Sequence, residues 1–181
     1  PYLQVSECKK DILDILKNTY ENNLYHSEEF TKKIFEQDFN ENMDDKYKII
    51  ERISSGSIGQ VYKIQDIKEE KYYALKVIHP NVDYHLKFIK NLIWLFNLDN
   101  YCFFELNEFV KNFEKETCFI YEAYNMKIFD IHYKDNDRIV IPELYKFTKN
   151  IIIMEYIEGE NVEKLSSYER NKYLTLLFLF C

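Results

Sequence analysis

The stretch Tyr73-Ala74-Leu75-Lys76-Val77-Ile78 sets a single lysine in the middle of an apolar run. Its Tyr, Val and Ile content reads as a β-strand. Two-residue alternation puts Lys76 on the side of Ala74 and Ile78. Burying an ammonium is costly unless an anion pairs with it. Lys76 therefore either lies on the solvent face of an edge strand or meets an acid from elsewhere in the chain.

Working outward, residues 47–53, 60–65 and 71–78 form short β-rich runs separated by turn residues, which predicts three antiparallel strands. Residues 83–97 are predicted helical. Residues 106–129 read as one long amphipathic helix. Two further strands are expected over 138–147 and 150–157, the first at an edge or bulge because Pro142 cannot donate to a ladder. Before the sheet, two helices are expected, one over residues 7–20 and one after Ser27. Ser27 is a suitable N-cap, with Glu28 and Glu29 in the first turn. Residues 40–45 read as a polar connection. Ser166-Ser167-Tyr168-Glu169 has capping-box spacing ahead of the apolar run 173–181. The element order is α+β, with expected divisions at 1–46 (an acidic helical extension), 47–157 (the sheet unit) and 158–181.

Composition narrows the function classes. Of 181 residues only three are Gly and three Pro, while 16 are Tyr and 14 Phe. This excludes linker-like and Pro-rich classes, and the aromatic content excludes a disordered chain. The net charge is −7, with −5 of it in residues 1–46 and no basic stripe, so nucleic-acid binding is not expected. The acidic arm reads as a solvated helical surface. Cys8, Cys102, Cys118 and Cys181 form no C-x-x-C pair, so neither zinc nor a disulfide framework is expected, and the thiols read as reduced and mostly buried. No apolar run approaches the ~20 residues of a membrane span. So few glycines leave few places for a left-handed turn or a close backbone approach. All three fall in stretches that could carry chemistry.

The loop Ser54-Ser55-Gly56-Ser57-Ile58-Gly59-Gln60-Val61 offers small residues at a strand turn, where backbone N–H groups can approach phosphate oxygens; it reads equally as a plain hairpin turn. It is not a Walker A loop, because no Gly-Lys-Ser/Thr follows. Phe119, Glu122 and Met126 share one helix face. Glu122 is the carboxylate that could meet Lys76, or else a solvated acid at the rim of the stripe. Ile151-Ile152-Ile153-Met154-Glu155-Tyr156-Ile157-Glu158-Gly159 is a buried strand with an exit segment whose main chain could read an adenine edge, or an ordinary core strand with a Gly turn. In this order the four stretches are the successive parts of a kinase small lobe: phosphate loop, lysine strand, paired glutamate and hinge.

The details resemble the UbiB/AarF/ADCK-type atypical kinases over roughly residues 47–165. That family has an Ala/Ser-rich loop ending in Ser-Ile-x-Gln-Val, met here by residues 54–61. Its lysine strand runs into a His-Pro-x-Val turn, met by His79-Pro80-Asn81-Val82. Its helix carries Glu-x-Asp and then Glu-Ala-x-Asn, met by Glu116-Thr117-Cys118 and Glu122-Ala123-Tyr124-Asn125. Ile141-Pro142 and Met154-Glu155-Tyr156-Ile157-Glu158-Gly159 match its Val-Pro strand and hinge. The chain departs from the family in having Cys118 for Asp, in Gly56 interrupting the alanine run, and in lacking the Lys-x-Gly-Gln element.

The resemblance implies a five-stranded kinase-like small lobe and binding of ATP with magnesium. Lys76 and Glu122 would be the catalytic pair. Ser55, Gly56, Ser57, Ile58 and Gly59 would cover the phosphates. Val61, Ala74, Met154, Glu155 and Ile157 would hold the base, with Glu116 as an outlying acid. It implies an ATPase or kinase role in ubiquinone or other isoprenoid-lipid metabolism, with lipid or ubiquinone-biosynthesis proteins as partners; the compartment stays open, mitochondria and plastids included. Magnesium ligands and the catalytic loop are expected beyond residue 181, so this stretch alone is not expected to catalyse. A pseudokinase scaffold and a non-catalytic α+β interaction module are the alternatives.

Overall fold

The computed structural model describes residues 25–96, 106–159, 166 and 173. The helix expected over 7–20, the capping box, the apolar run after Tyr173, and Cys8, Cys102 and Cys181 lie outside the described residues.

Helix α1 (Glu28–Phe39) starts where Ser27 caps the backbone N–H of Phe30. Strands β1 (Tyr47–Ser55), β2 (Gly59–Asp66) and β3 (Tyr72–Ile78) follow as an antiparallel meander. Helices α2 (Val82–Phe96), α3 (Leu106–Glu116) and α4 (Phe119–Tyr133) come next, then β4 (Leu144–Phe147) and β5 (Ile151–Glu155). The sheet order is β1-β2-β3-β5-β4, antiparallel throughout. The lysine strand β3 is thus central, not an edge.

Cross-strand partners share a face of the sheet, and the two faces bury different partners. One presents Tyr62, Ile64, Tyr73, Leu75, Val77, Ile151 and Ile153 to Phe35 of α1, Met43 and Tyr47. The other presents Ile78 and Ile152 to Phe119 of α4, with Ile58, Leu144, Phe147 and Met154 around them. Leu86 and Ile93 of α2 pack with Val110 of α3 in a third, separate cluster. Met43 is a correction to the sequence reading: the polar connection contains a 3-10 turn, Met43–Asp45, which buries that methionine in the core.

The short turn between β4 and β5 ties most of these elements together. Thr148 accepts from the backbone N–H groups of Asn150 and Ile151 and donates to Asp38 of α1. Asn150 donates to the same carboxylate at 3.1 Å, and its carbonyl accepts from Ile78 of β3. The carbonyl of Lys149 takes the N–H of Phe119 at 3.0 Å, and its ammonium pairs with Asp83 of α2.

Two expectations for the second half of the chain need correction. The helix expected over 106–129 is two helices. Thr117 is buried and its hydroxyl donates back to the carbonyl of Glu114 at 2.9 Å, which competes with the helical ladder. Cys118 then adopts extended backbone angles (φ −115°, ψ 99°) and caps α4 without a side-chain hydrogen bond. It is also only half-buried, against the expectation for the thiols. The strand expected over 138–147 shrinks to Leu144–Phe147; as anticipated from Pro142 it is an edge strand, with an irregular register between Leu144 and Lys146.

Glycine does not supply the left-handed turns. No glycine has a positive φ, whereas Asn40 (55°), Glu70 (57°) and Asn81 (65°) do. Asn40 closes α1 by donating to the Glu36 carbonyl. Glu70 ends the β2–β3 turn, in which Asp66 accepts from the N–H groups of Lys68 and Glu69.

Replacing Cys118 by Asp supplies the missing N-cap acceptor, and urea unfolding is expected to show a gain of about 1 kcal/mol. Glu70→Gly relieves a left-handed glutamate and is expected to raise stability by about 1 kcal/mol in the same assay.

Candidate functional site

Lys76 sits opposite Val61 on one side and Ile152 on the other, while Ala74 sits opposite Lys63 and Met154. By alternation Val61, Ala74, Lys76 and Met154 therefore lie on one face of the sheet, the face against which α4 packs. The Lys76 ammonium reaches Glu122 of α4 and donates to both carboxylate oxygens, at 2.7 and 2.6 Å. Its side chain is 24% exposed and that of Glu122 38%, so the pair is partly desolvated at the lip of a cleft. The ammonium also lies 4.7 Å from the ring centre of Phe119, where the ring's negative face attracts a cation. Phe119 opens α4 and Glu122 follows one turn later, so one helical turn sets ring and carboxylate against the same ammonium.

The same ring accounts for Gly59. A Cβ at Gly59 would stand 2.7 Å from the Val77 carbonyl oxygen and 3.1 Å from the Phe119 Cζ. This glycine is the close backbone approach that the sequence pointed to, but what approaches it is the protein's own strand and ring. A Cβ at Gly56 would make only an ordinary 3.8 Å contact with the Gly59 carbonyl oxygen, and Gly159 faces open space.

The cleft beside the ion pair has a volume of about 700 Å³ and is lined by Ile58, Lys76, Glu116, Glu122, Asn125 and Met126, among others. Ile58 and Glu116 thus stand with the Lys76–Glu122 pair, although Glu116 belongs to α3 and not to the helix of Glu122. Met154, Glu155 and Ile157 do not line this cleft. Glu155 binds the residue just before β4, its backbone N–H donating to the Glu143 carbonyl at 2.8 Å, and Ile157 lies past the end of β5.

The loop residues are divided. Gly56 and Ser57 border a second cavity of about 250 Å³ together with His26, His79 and His85. Ser55 is nearly buried, and its hydroxyl lies 3.2 Å from His79 Nε2. The same nitrogen is 2.9 Å from the Gly56 carbonyl, and the His79 backbone N–H donates to the Ile58 carbonyl at 2.8 Å. In the sequence His79 stands out only as part of the His-Pro-x-Val turn, and its grip on the loop comes from the fold. Among the described residues no hydrogen bond occupies the N–H groups of Ser57 or Ile58.

Among the described residues, no group of three or more His, Cys, Asp or Glu is placed to hold a metal ion. No helix among them is long and apolar enough to cross a membrane. A search of curated proteins returns no match. The family comparison is positive: residues 21–176 match the ABC1 atypical kinase-like domain, a span that takes in the sheet, the ion pair and the loop. With most of its length matched, this kinase-like small lobe belongs to the ABC1 atypical kinase-like family.

Proposed function

We propose that this chain binds ATP, as the nucleotide-binding lobe of an atypical kinase or ATPase. The observation that carries the reading is the two-oxygen ion pair between Lys76 and Glu122, made on the face that also holds Val61, Ala74 and Met154. An ammonium held by a carboxylate keeps its position, and it has a further N–H to offer an anion.

The donors of the cleft and of the adjoining loop suit a polyphosphate. Lys76 would bind oxygens of the α- and β-phosphates, and the unoccupied N–H groups of Ser57 and Ile58 would meet the remaining charge. Gly56 would keep a side chain out of the way and the backbone of Gly59 would cover the phosphates, while Ser55 supports the loop from behind through His79. Ala74, Val61 and Met154 would line the base, with the Glu155 carbonyl and the Ile157 N–H reading its edge. Glu116, which lines the cleft with Lys76, would be the outlying acid. ATP supplies the phosphoryl group for transfer or hydrolysis, and magnesium would arrive with it; no residue of this chain is assigned to the metal. The resemblance to UbiB/AarF/ADCK proteins supports a role in ubiquinone or other isoprenoid-lipid metabolism.

In the full-length protein, Lys76→Ala is expected to weaken MgATP binding at least tenfold in isothermal titration, the scale of one lost charge-assisted hydrogen bond. Glu122→Gln should weaken it less, because the ammonium remains but loses its anchor. Unchanged affinity in Lys76→Ala would overturn the nucleotide assignment.

A further inference from the structure

Four buried polar side chains lie behind the loop, on the side away from the ion pair: His26, Thr31, Gln60 and Tyr62. With His79 they form one connected chain. The Gly56 carbonyl is 2.9 Å from His79 Nε2, and His79 Nδ1 is 2.8 Å from His26 Nδ1. His26 Nε2 is 2.9 Å from the Thr31 hydroxyl, which is 3.0 Å from that of Tyr62. Tyr62 in turn takes a hydrogen bond from Gln60 Nε2, and Gln60 Oε1 closes the circuit by accepting the backbone N–H of His26 at 3.1 Å.

Donor and acceptor rules fix the hydrogens. A carbonyl only accepts, so the proton of neutral His79 is on Nε2 and its Nδ1 is bare. The bond between the two imidazoles then needs a proton on His26 Nδ1, leaving His26 Nε2 bare. That bare nitrogen can take a hydroxyl hydrogen from Thr31, whose oxygen also lies 3.0 Å from that of Tyr62, and Tyr62 accepts from Gln60. Both imidazoles are neutral in this arrangement, and each directs its proton towards the loop. Burial pushes the His26 imidazole down to about 4, with the neighbouring His79 adding to the effect, and burial lowers His79 too. The uncharged arrangement therefore holds at neutral pH.

We infer that His79, held in register by His26, is a positioning residue for nucleotide binding. Its ring and backbone N–H engage the carbonyls of Gly56 and Ile58, holding both away from the place where the Ser57 and Ile58 N–H groups would meet phosphate. The inference rests on reading residues 55–59 as a nucleotide loop. Its physical content is simple: a carbonyl oxygen repels a phosphate, and tying back the carbonyls of Gly56 and Ile58 removes two such oxygens from the loop face. Because His26 precedes α1 and Thr31 lies within it, the chain also couples the position of α1 to the shape of the loop.

The test uses the full-length protein and MgATP, with amide hydrogen exchange of residues 56–59 as a second measurement. His79→Ala is expected to weaken MgATP binding about tenfold, the equivalent of 1.4 kcal/mol, and to speed exchange in the loop. His79→Gln, which keeps a donor near Nε2, is expected to recover most of both, and His26→Ala to fall between. A purely structural role would not give recovery by Gln in step with loop exchange. If His79→Ala binds MgATP like the wild type while Lys76→Ala does not, the inference fails and the nucleotide reading stands. If the wild type itself does not bind MgATP, the nucleotide reading fails, and the positioning role, which is defined for nucleotide binding, falls with it.

Discussion

The ring of Phe119 lies against the backbone of Gly59 and beneath the ammonium of Lys76, and much of the architecture follows from that contact. It requires a residue without a side chain at the start of β2, because any Cβ would also meet the Val77 carbonyl. It places the first turn of α4 under β3, which brings Glu122 to Lys76 without a long reach. The lysine can then sit on a central strand, where an unpaired ammonium would be prohibitive. Close packing, the cation over the ring and the ion pair are three results of a single placement.

That placement is secured from the other end of the sheet. The N–H of Phe119 is held by Lys149 in the β4–β5 turn, and the same turn grips α1 through Asp38 and α2 through Asp83. A small lobe with helices on both faces of its sheet needs such a fixed point. Hydrophobic contact is non-directional and would let the helices slide. The carboxylate of Asp38, shared by Thr148 and Asn150, supplies direction on one face, and the Phe119 amide supplies it on the other.

Much of this was legible because it rests on local pattern. The side of β3 that carries Lys76 follows from alternation, and the start of α1 follows from Ser27 with two glutamates behind it. The break at Thr117 and Cys118 was not legible, since threonine and cysteine are both tolerated inside helices, and only burial of the Thr117 hydroxyl directs it back onto Glu114. Met43 could not be placed in the core from a segment otherwise polar. The His26–His79 contact spans 53 residues, and no periodicity links two histidines at that distance. Glycine scarcity alone did not show what Gly59 is for, because Gly59 answers to Phe119 and Val77.

The left-handed residues Asn40, Glu70 and Asn81 have a consequence for how such a sequence can change over time. Each stands where glycine would serve with less strain, and each is held by its surroundings: a helix end, an aspartate-centred turn, the entry to α2. A chain rich in Asn, Lys, Ile, Tyr and Phe can therefore lose nearly all its glycines and still turn its corners. Compositional drift is absorbed at the bends, and at Gly59, where two neighbours already occupy the space, it meets a wall.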